Sequence, residues 1–243
     1  MTFDLDEFYS ENDIESWKMV VGEDLHYHLG SRSEGDIFEQ TIRNLYQYIP
    51  DNSKILDCGC GWGGPAKMLM KEKNCSITGV TISKSQAEYI TEFPVILDDL
   101  QIFVPTERYD VALFVESLTH VRNPKKVLKN IHDHVDKVVI KDYTWDHRFY
   151  NPVWGMQFYP RDEFIHMLEI SGYKVDFCEP DTDIDIVKTC SLWYNNLQKL
   201  DPIKITGHLR ALELLSISVL NHLGSKYKDG EAAPMLITCA TPV

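Results

Sequence analysis

Residues 55–64 read ILDCGCGWGG. The run Lys54–Cys58 (KILDC) is a short buried strand, the glycine cluster a tight turn, and Pro65–Glu72 the helix that follows. Glycines at 59, 61 and 64 satisfy G-x-G-x-x-G directly after a strand and at the opening of a helix. The physical sense of that spacing is access. Residues without a Cβ let the backbone turn sharply and approach a ligand, whose polar groups then meet free amide hydrogens at the helix start. The pattern alone admits a dinucleotide site, a nucleoside site, or a turn that binds nothing. A dinucleotide fold calls for an acidic residue about 20 positions on, to hold the ribose hydroxyls. Here the second strand, Ser76–Thr81 (SITGVT), ends in Val80-Thr81 with no acid, which counts against a nicotinamide cofactor.

Outward from this turn the chain alternates. After the second strand come a short helix at Lys84–Thr91 and strands at Val95–Leu97, Val111–Val115 and Lys137–Lys141. Pro124–Val135 has apolar residues at 127, 128, 131 and 135, a helical period, with Asn123 as its N-cap. Arg161–Ile170 is a helix stopped by Gly172, Tyr173–Cys178 a sixth strand and Met235–Ala240 the last. Strands with continuous apolar runs, separated by helices, predict a mostly parallel sheet covered on both faces. The expectation is an α/β, Rossmann-like, seven-stranded sheet in one domain over residues 1–243. A helical preface would cover 1–50, a cofactor-binding core 51–180, a helical lid 181–232 and the last strand 233–243. Leu209–Leu223 is the strongest helix of that lid.

Composition narrows the partners. The 243 residues hold 37 acidic against 24 basic side chains, a net charge of −13, with 44% hydrophobic and 25% charged residues. Such a balance is globular, and it repels phosphate backbones and anionic headgroups, so neither nucleic acid nor stable membrane association is expected. No apolar run approaches the roughly 20 residues of a spanning helix, and the acidic amino terminus lacks the basic-then-apolar pattern of an export signal. Six scattered cysteines then read as reduced thiols, and the expected location is cytoplasmic.

The segments D-x-G-C-G-W-G-G from Asp57 and G-V-T-I-S-x-x-Q from Gly79 to Gln86 resemble class I S-adenosylmethionine-dependent methyltransferases. The likeness is to the branch of cyclopropane fatty acid synthases and of tocopherol, coclaurine, geranyl diphosphate and glycine-betaine-pathway methyltransferases. It is good from Gly30 to Tyr143 and looser beyond. It implies S-adenosylmethionine as cofactor, with Gly59, Gly61 and Gly63 at its methionine part and Asp57 orienting the loop. Thr81, Ile82 and Gln86 would hold ribose and adenine, and Asp99 with Leu100 the adenine edge, Asp98 being the alternative one residue away. In the preface, GEDLHYHLG (Gly22–Gly30) is similar to the family's entry segment, which places His28 over the cofactor with Tyr27 nearby.

A second segment, ESLTHV (Glu116–Val121), follows the fourth strand and resembles the family's E-S-x-x-H. A carboxylate at a strand's carboxyl end faces the cleft where open α/β sheets bind ligands. Glu116 is thus the expected base or stabiliser of charge growing on the acceptor, with His120 four residues on, on the same helical face. Thr119 stands where the synthases carry a glutamate that helps hold bicarbonate, which disfavours cyclopropanation. Tyr143, Trp145, Trp154, Trp193 and Tyr194, with His208, are the expected lining of an acceptor pocket, since aromatic faces stabilise cationic centres. A diphosphate acceptor would need clustered cations; Arg122, Arg148 and Arg161 are the candidates. His26 and His28 give two metal ligands with no visible third, so no metal is expected. Asn151–Trp154 (NPVW) superficially resembles a DNA amine methyltransferase motif but follows the wrong strand. The expected function is methyl transfer to a small molecule whose nucleophile (N, C, O or S) stays open. Cyclopropane-synthase-like lipid modification and a non-catalytic cofactor-binding protein are the alternatives, and monomer and homodimer are both open.

Overall fold

A computed structural model describes residues 12–152, 154–223 and 235–243. The first eleven residues of the expected preface, Val153, and residues 224–234 of the expected lid and last strand lie outside the described residues. The chain runs α1 (Ile14–Val21), α2 (Ile37–Arg43), β1 (Lys54–Cys58), α3 (Gly64–Lys73), β2 (Ser76–Thr81), α4 (Lys84–Tyr89), β3 (Val95–Leu97) and β4 (Tyr109–Val115). It continues through α5 (Pro124–Ile131), β5 (Val135–Tyr143), β6 (Phe149–Asn151), β7 (Met156–Phe158), α6 (Arg161–Glu169), β8 (Tyr173–Pro180), α7 (Ile186–Leu197), α8 (Gly207–Ser218) and β9 (Met235–Pro242).

Seven strands form one sheet in the order β3-β2-β1-β4-β5-β9-β8. The first five pair in parallel, with Ile55 opposite both Ile77 and Val111. β9 enters between β5 and β8 and runs antiparallel to both. Alternate residues of the central strands feed two apolar layers. Leu56, Ala112, Phe114, Val138 and Ile140 pack with Val127, Leu128 and Leu168 of α5 and α6. Ile55, Val111, Leu113 and Val139 pack with Ala66 and Leu69 of α3. Helices thus cover both faces, as continuous apolar strands require. Asn123 caps α5 by accepting from the Lys126 amide, with Pro124 in the first turn.

A third apolar cluster has no strand of the main sheet at its centre. It joins Trp17, Val20 and Leu25 of the amino-terminal segment to Trp193, Leu197 and Leu209 of α7 and α8, with Trp62, Trp154 and Phe158 beneath. Polar ties accompany the packing. Asn196 donates to the Val20 carbonyl at 3.1 Å, and Asp183 accepts from both Ser31 Oγ and Asn44 Nδ2 at 2.6 Å.

Three elements depart from or add to the expected alternation. The stretch after the fifth strand, to which no element was assigned, holds two short strands: β6 and β7 pair antiparallel, and Phe149 and Phe158 stack at 4.5 Å across the pair. Three-residue strands are too short to show a period of two. The Leu209–Leu223 helix starts at Gly207 and passes from α-helix to a π turn at Val219–Leu223. Finally, Leu118–His120 is one 3₁₀ turn, so Glu116 and His120 share no helical face.

Candidate active site

At the carboxyl ends of β1, β2, β4 and β5 a cavity of about 480 Å³ opens between the sheet and the third apolar cluster. The glycine turn forms one wall. Gly59 and Gly61 have φ of +87° and +53°, a region open mainly to glycine. A Cβ on Gly59 would strike Ser117 at 2.6 Å, whereas one on Gly61 would meet open space within the cavity. Gly63 faces elsewhere: its Cβ direction points at Phe93, and it does not line the cavity.

Asp57, next to last in β1, is buried with no hydrogen-bond partner for Oδ2 among the described residues, and burial pushes its pKa up to about 7. Thr81 donates to Gln86 Oε1 at 2.7 Å and accepts from the Ser83 amide, so β2 and α4 present them to the cavity as a pair beside Ile82. Asp98, Asp99 and Leu100 line the same end. Asp99 is engaged by the Gln101 amide and side chain, and Asp98 by the Asp99 amide. From the amino-terminal segment, Tyr27 and His28 reach the cavity. His28 is buried with Nε2 unpartnered, and desolvation holds it neutral, well below its usual pKa. Its neighbour His26 lies edge-on at 5.5 Å, and among the described residues no three His, Cys, Asp or Glu side chains gather as a metal site.

At the other end stands Glu116, at φ +53° directly after β4. Its amide donates to the Lys141 carbonyl at 2.7 Å, which fixes the strained backbone. Oε1 accepts from the Leu29 amide at 2.8 Å and from Lys141 Nζ at 3.0 Å; Oε2 accepts from the Tyr143 hydroxyl at 2.6 Å. Lys141 is fully buried, and Glu116 is the carboxylate paired with it. Neither Lys141, expected only as the end of the fifth strand, nor the next residue, Asp142, was among the expected site residues. Asp142 accepts from the amides of Leu118 and Thr119, from the Thr119 hydroxyl and from the Tyr143 amide. The three donors from Leu118 and Thr119 pin the 3₁₀ turn that carries His120. Burial nevertheless pushes the Asp142 pKa up to about 6. The signal for both residues was a Lys-Asp pair directly after the apolar run Val138–Ile140. His120 lines the cavity with Nδ1 buried and unpartnered, and desolvation pushes its pKa down to about 4.

Of the expected aromatic lining, Tyr143, Trp154 and Trp193 reach the cavity, joined by Phe158 and Tyr150. Trp145 packs on Phe149 and Phe158, and Tyr194 lies off the lining, a helical step of 100° from Trp193. His208 is buried behind, sharing a 2.5 Å hydrogen bond with Tyr27. The arginines do not converge. Arg122 is at the rim, Arg148 lies over the Tyr159 ring, and Arg161 is bound to Cys178 and Glu179.

Residues 31–176 match a family described as a methyltransferase domain. (S)-tetrahydroprotoberberine N-methyltransferase of Eschscholzia californica is 32% identical over 142 residues, covering 51% of this chain and 41% of that protein. The chain spans less than half the length of the first curated relatives it matches. Among solved structures, coclaurine N-methyltransferase bound to N-methylheliamine and S-adenosylhomocysteine superposes with a TM-score of 0.77 at 19% identity, over 95% of this chain and 81% of that one. A cyclopropane synthase from Mycobacterium tuberculosis does so with 0.74 at 14% identity, over 98% of both. Those two likenesses are of fold. The family match covers more than half of the chain, which therefore belongs to the methyltransferase domain family, in its class I S-adenosylmethionine-dependent branch.

Proposed function

We propose that this protein transfers a methyl group from S-adenosylmethionine to the nitrogen of a small amine. The carrying observation is that one cavity holds both a nucleoside-type end and an aromatic, anion-backed end. The cofactor fits the first. The unpartnered Asp57 oxygen lacks a donor that an ammonium group would supply, and the open side of Gly61 leaves room for the methionine part. Thr81, Ile82 and Gln86, which line this end, would hold the ribose and adenine, and Asp98 or Asp99 with Leu100 the adenine edge. Bound there, the cofactor supplies an electrophilic methyl on a sulfonium. The protein's own work is to hold the acceptor in line with that methyl and to manage charge as the nitrogen becomes positive. Trp154, Trp193 and Phe158 offer ring faces that favour a cation. His120 is neutral with a buried, unpartnered Nδ1, and in this reading it accepts the proton an amine must shed.

Nitrogen is favoured for two reasons. The deep cation Lys141 is already paired and the arginines are dispersed, so nothing there is arranged for a diphosphate. The first curated relatives are N-methyltransferases. Cyclopropanation is disfavoured because Thr119, in place of the synthases' glutamate, turns its hydroxyl to Asp142. The described helical segments 14–43 and 186–223 serve in this reading as the cover over the cavity.

S-adenosylhomocysteine is expected to raise the melting temperature of the protein and not of Gly61→Val, whose methyls would fill the open side of the turn. Labelled methyl from S-adenosylmethionine is expected on members of an amine panel and not on phenols, thiols or unsaturated acyl chains. No thermal shift would overturn the cofactor assignment; label on acyl chains alone would overturn the acceptor class.

A further inference from the structure

The geometry points to Tyr143, and not the Glu116 carboxylate, as the group that touches the acceptor nitrogen: its phenolic oxygen receives the acceptor's N–H, with Glu116 and Lys141 acting from behind as positioning residues. The inference rests on the amine reading above and goes beyond it by moving the contact from one residue to another.

Both Glu116 oxygens are taken. Oε1 holds the Leu29 amide and the Lys141 ammonium, and Oε2 holds the Tyr143 hydroxyl. Three of its roughly four lone-pair sites are filled, one of them by a buried ammonium that offsets its charge, so it is a weakened proton acceptor for a substrate. Tyr143 is in the opposite situation. At 2.6 Å its proton is committed to the carboxylate, so its oxygen can only accept, and it belongs to a side chain that lines the cavity. A phenol that donates to an anion gains negative character on its oxygen, and chains of hydrogen bonds polarise one another in a low-dielectric site. The series Lys141, Glu116, Tyr143 therefore ends in an oxygen that strengthens as an acceptor when the facing nitrogen becomes positive.

The surroundings keep that oxygen in place. The Tyr143 amide donates to Asp142 Oδ1 at 2.8 Å, and its ring meets Phe158 edge-on at 6.0 Å. Lys141 donates also to the Met235 sulfur at 3.3 Å and is wholly buried. It is thus unreachable by substrate, and its hydrogen-bonded link to Tyr143 runs through Glu116. Burial and the neighbouring Glu116 hold the Tyr143 phenol well above its usual pKa, so it stays a hydroxyl throughout the physiological range.

The test uses probes that differ in one proton. The protein saturated with S-adenosylhomocysteine is titrated with protonated tetrahydroisoquinoline, which carries N–H donors, and with its N,N-dimethyl quaternary salt, which carries none. The unmodified protein should prefer the N–H probe by about 10-fold, the scale of one hydrogen bond to a charged group. Tyr143→Phe should lose that preference while keeping its affinity for S-adenosylhomocysteine and for the quaternary salt. Tyr143→3-fluorotyrosine keeps the hydroxyl and weakens the oxygen as an acceptor, and should fall between the two. The inference is overturned if Tyr143→Phe retains the preference, if the fluorinated protein matches the unmodified one, or if the unmodified protein shows no preference or binds neither probe. Failure to bind S-adenosylhomocysteine at all is a separate result, and overturns the methyltransferase reading instead.

Discussion

Asp57 is the penultimate residue of a strand that is buried from Ile55 onward, and it carries a carboxyl oxygen with no hydrogen-bond partner among the described residues. Burial pushes its pKa up to about 7, against about 3.9 for an aspartate in an unfolded chain. Between roughly pH 4 and 7 the folded state therefore binds more protons than the unfolded one, and stability falls as pH rises through that window. Above it the charged carboxylate is a standing cost. Asp57→Asn removes the charge and keeps the shape, so the ligand-free protein should gain on the order of 1–3 kcal/mol at pH 8, or roughly 2–10 °C in melting temperature, with little change near pH 4. The same substitution should shrink the stabilisation by S-adenosylhomocysteine at pH 8. A variant no more stable than the parent at pH 8 would show that the oxygen is not strained. The glycine loop around Asp57 was legible in the sequence because positive φ angles demand a residue type. The state of its oxygen was not, because it depends on the absence of a neighbour.

The pairing of β4 with β5 places Val115 opposite Lys141, and so brings Glu116 beside a cation 25 residues away. Glu116 was recognised from its place after a strand, as a base or a stabiliser of charge on the acceptor. Its pairing with Lys141 was not legible, because register across parallel strands has no local signature. The antiparallel entry of β9 escaped the sequence reading for the same reason, while its existence as a strand did not. The ion pair predicts a particular asymmetry. Glu116→Gln keeps an oxygen for Leu29 but leaves Lys141 buried without an anion, a loss of about 3–5 kcal/mol in urea unfolding. Lys141→Met on its own strands the Glu116 charge and should cost a comparable amount. The double variant should lose less than the sum of the two, by a coupling energy on the order of 1–3 kcal/mol. Additive losses would mean that the pair contributes no mutual stabilisation and that Glu116 is held by Leu29 and Tyr143 alone.

Across the whole molecule, the cavity is closed by two stretches that are far apart in the chain. Residues before β1 and the helices after β8 meet above the sheet, where Trp17, Leu25 and Leu29 pack with Trp193, Leu197 and Leu209. The sequence reading marked both as helical additions to the alternating core, yet their contact was invisible, since residues 152 apart make it. Asp183 is the polar joint. Its carboxylate accepts from Ser31 Oγ and Asn44 Nδ2, and its carbonyl accepts from the Arg32 amide, beside the Ser31–Ile184 bridge. Asp183→Ala removes the two side-chain bonds, keeps the carbonyl, and leaves the apolar contact intact. Two lost bonds to a charged group amount to about 2–4 kcal/mol of attachment between the segments, with little effect on the sheet. Segment 25–30, which carries Tyr27, His28 and the Leu29 amide held by Glu116, should then open more often. Amide exchange at 25–30 is expected to accelerate while β1, β4 and β5 keep their protection. S-adenosylhomocysteine should bind on the order of 10-fold more weakly, because part of each binding event must now restore the closed arrangement. If exchange accelerates and affinity stays within about twofold, the segments cover the cavity without helping to hold the cofactor. If exchange does not change, the apolar contact alone keeps them closed.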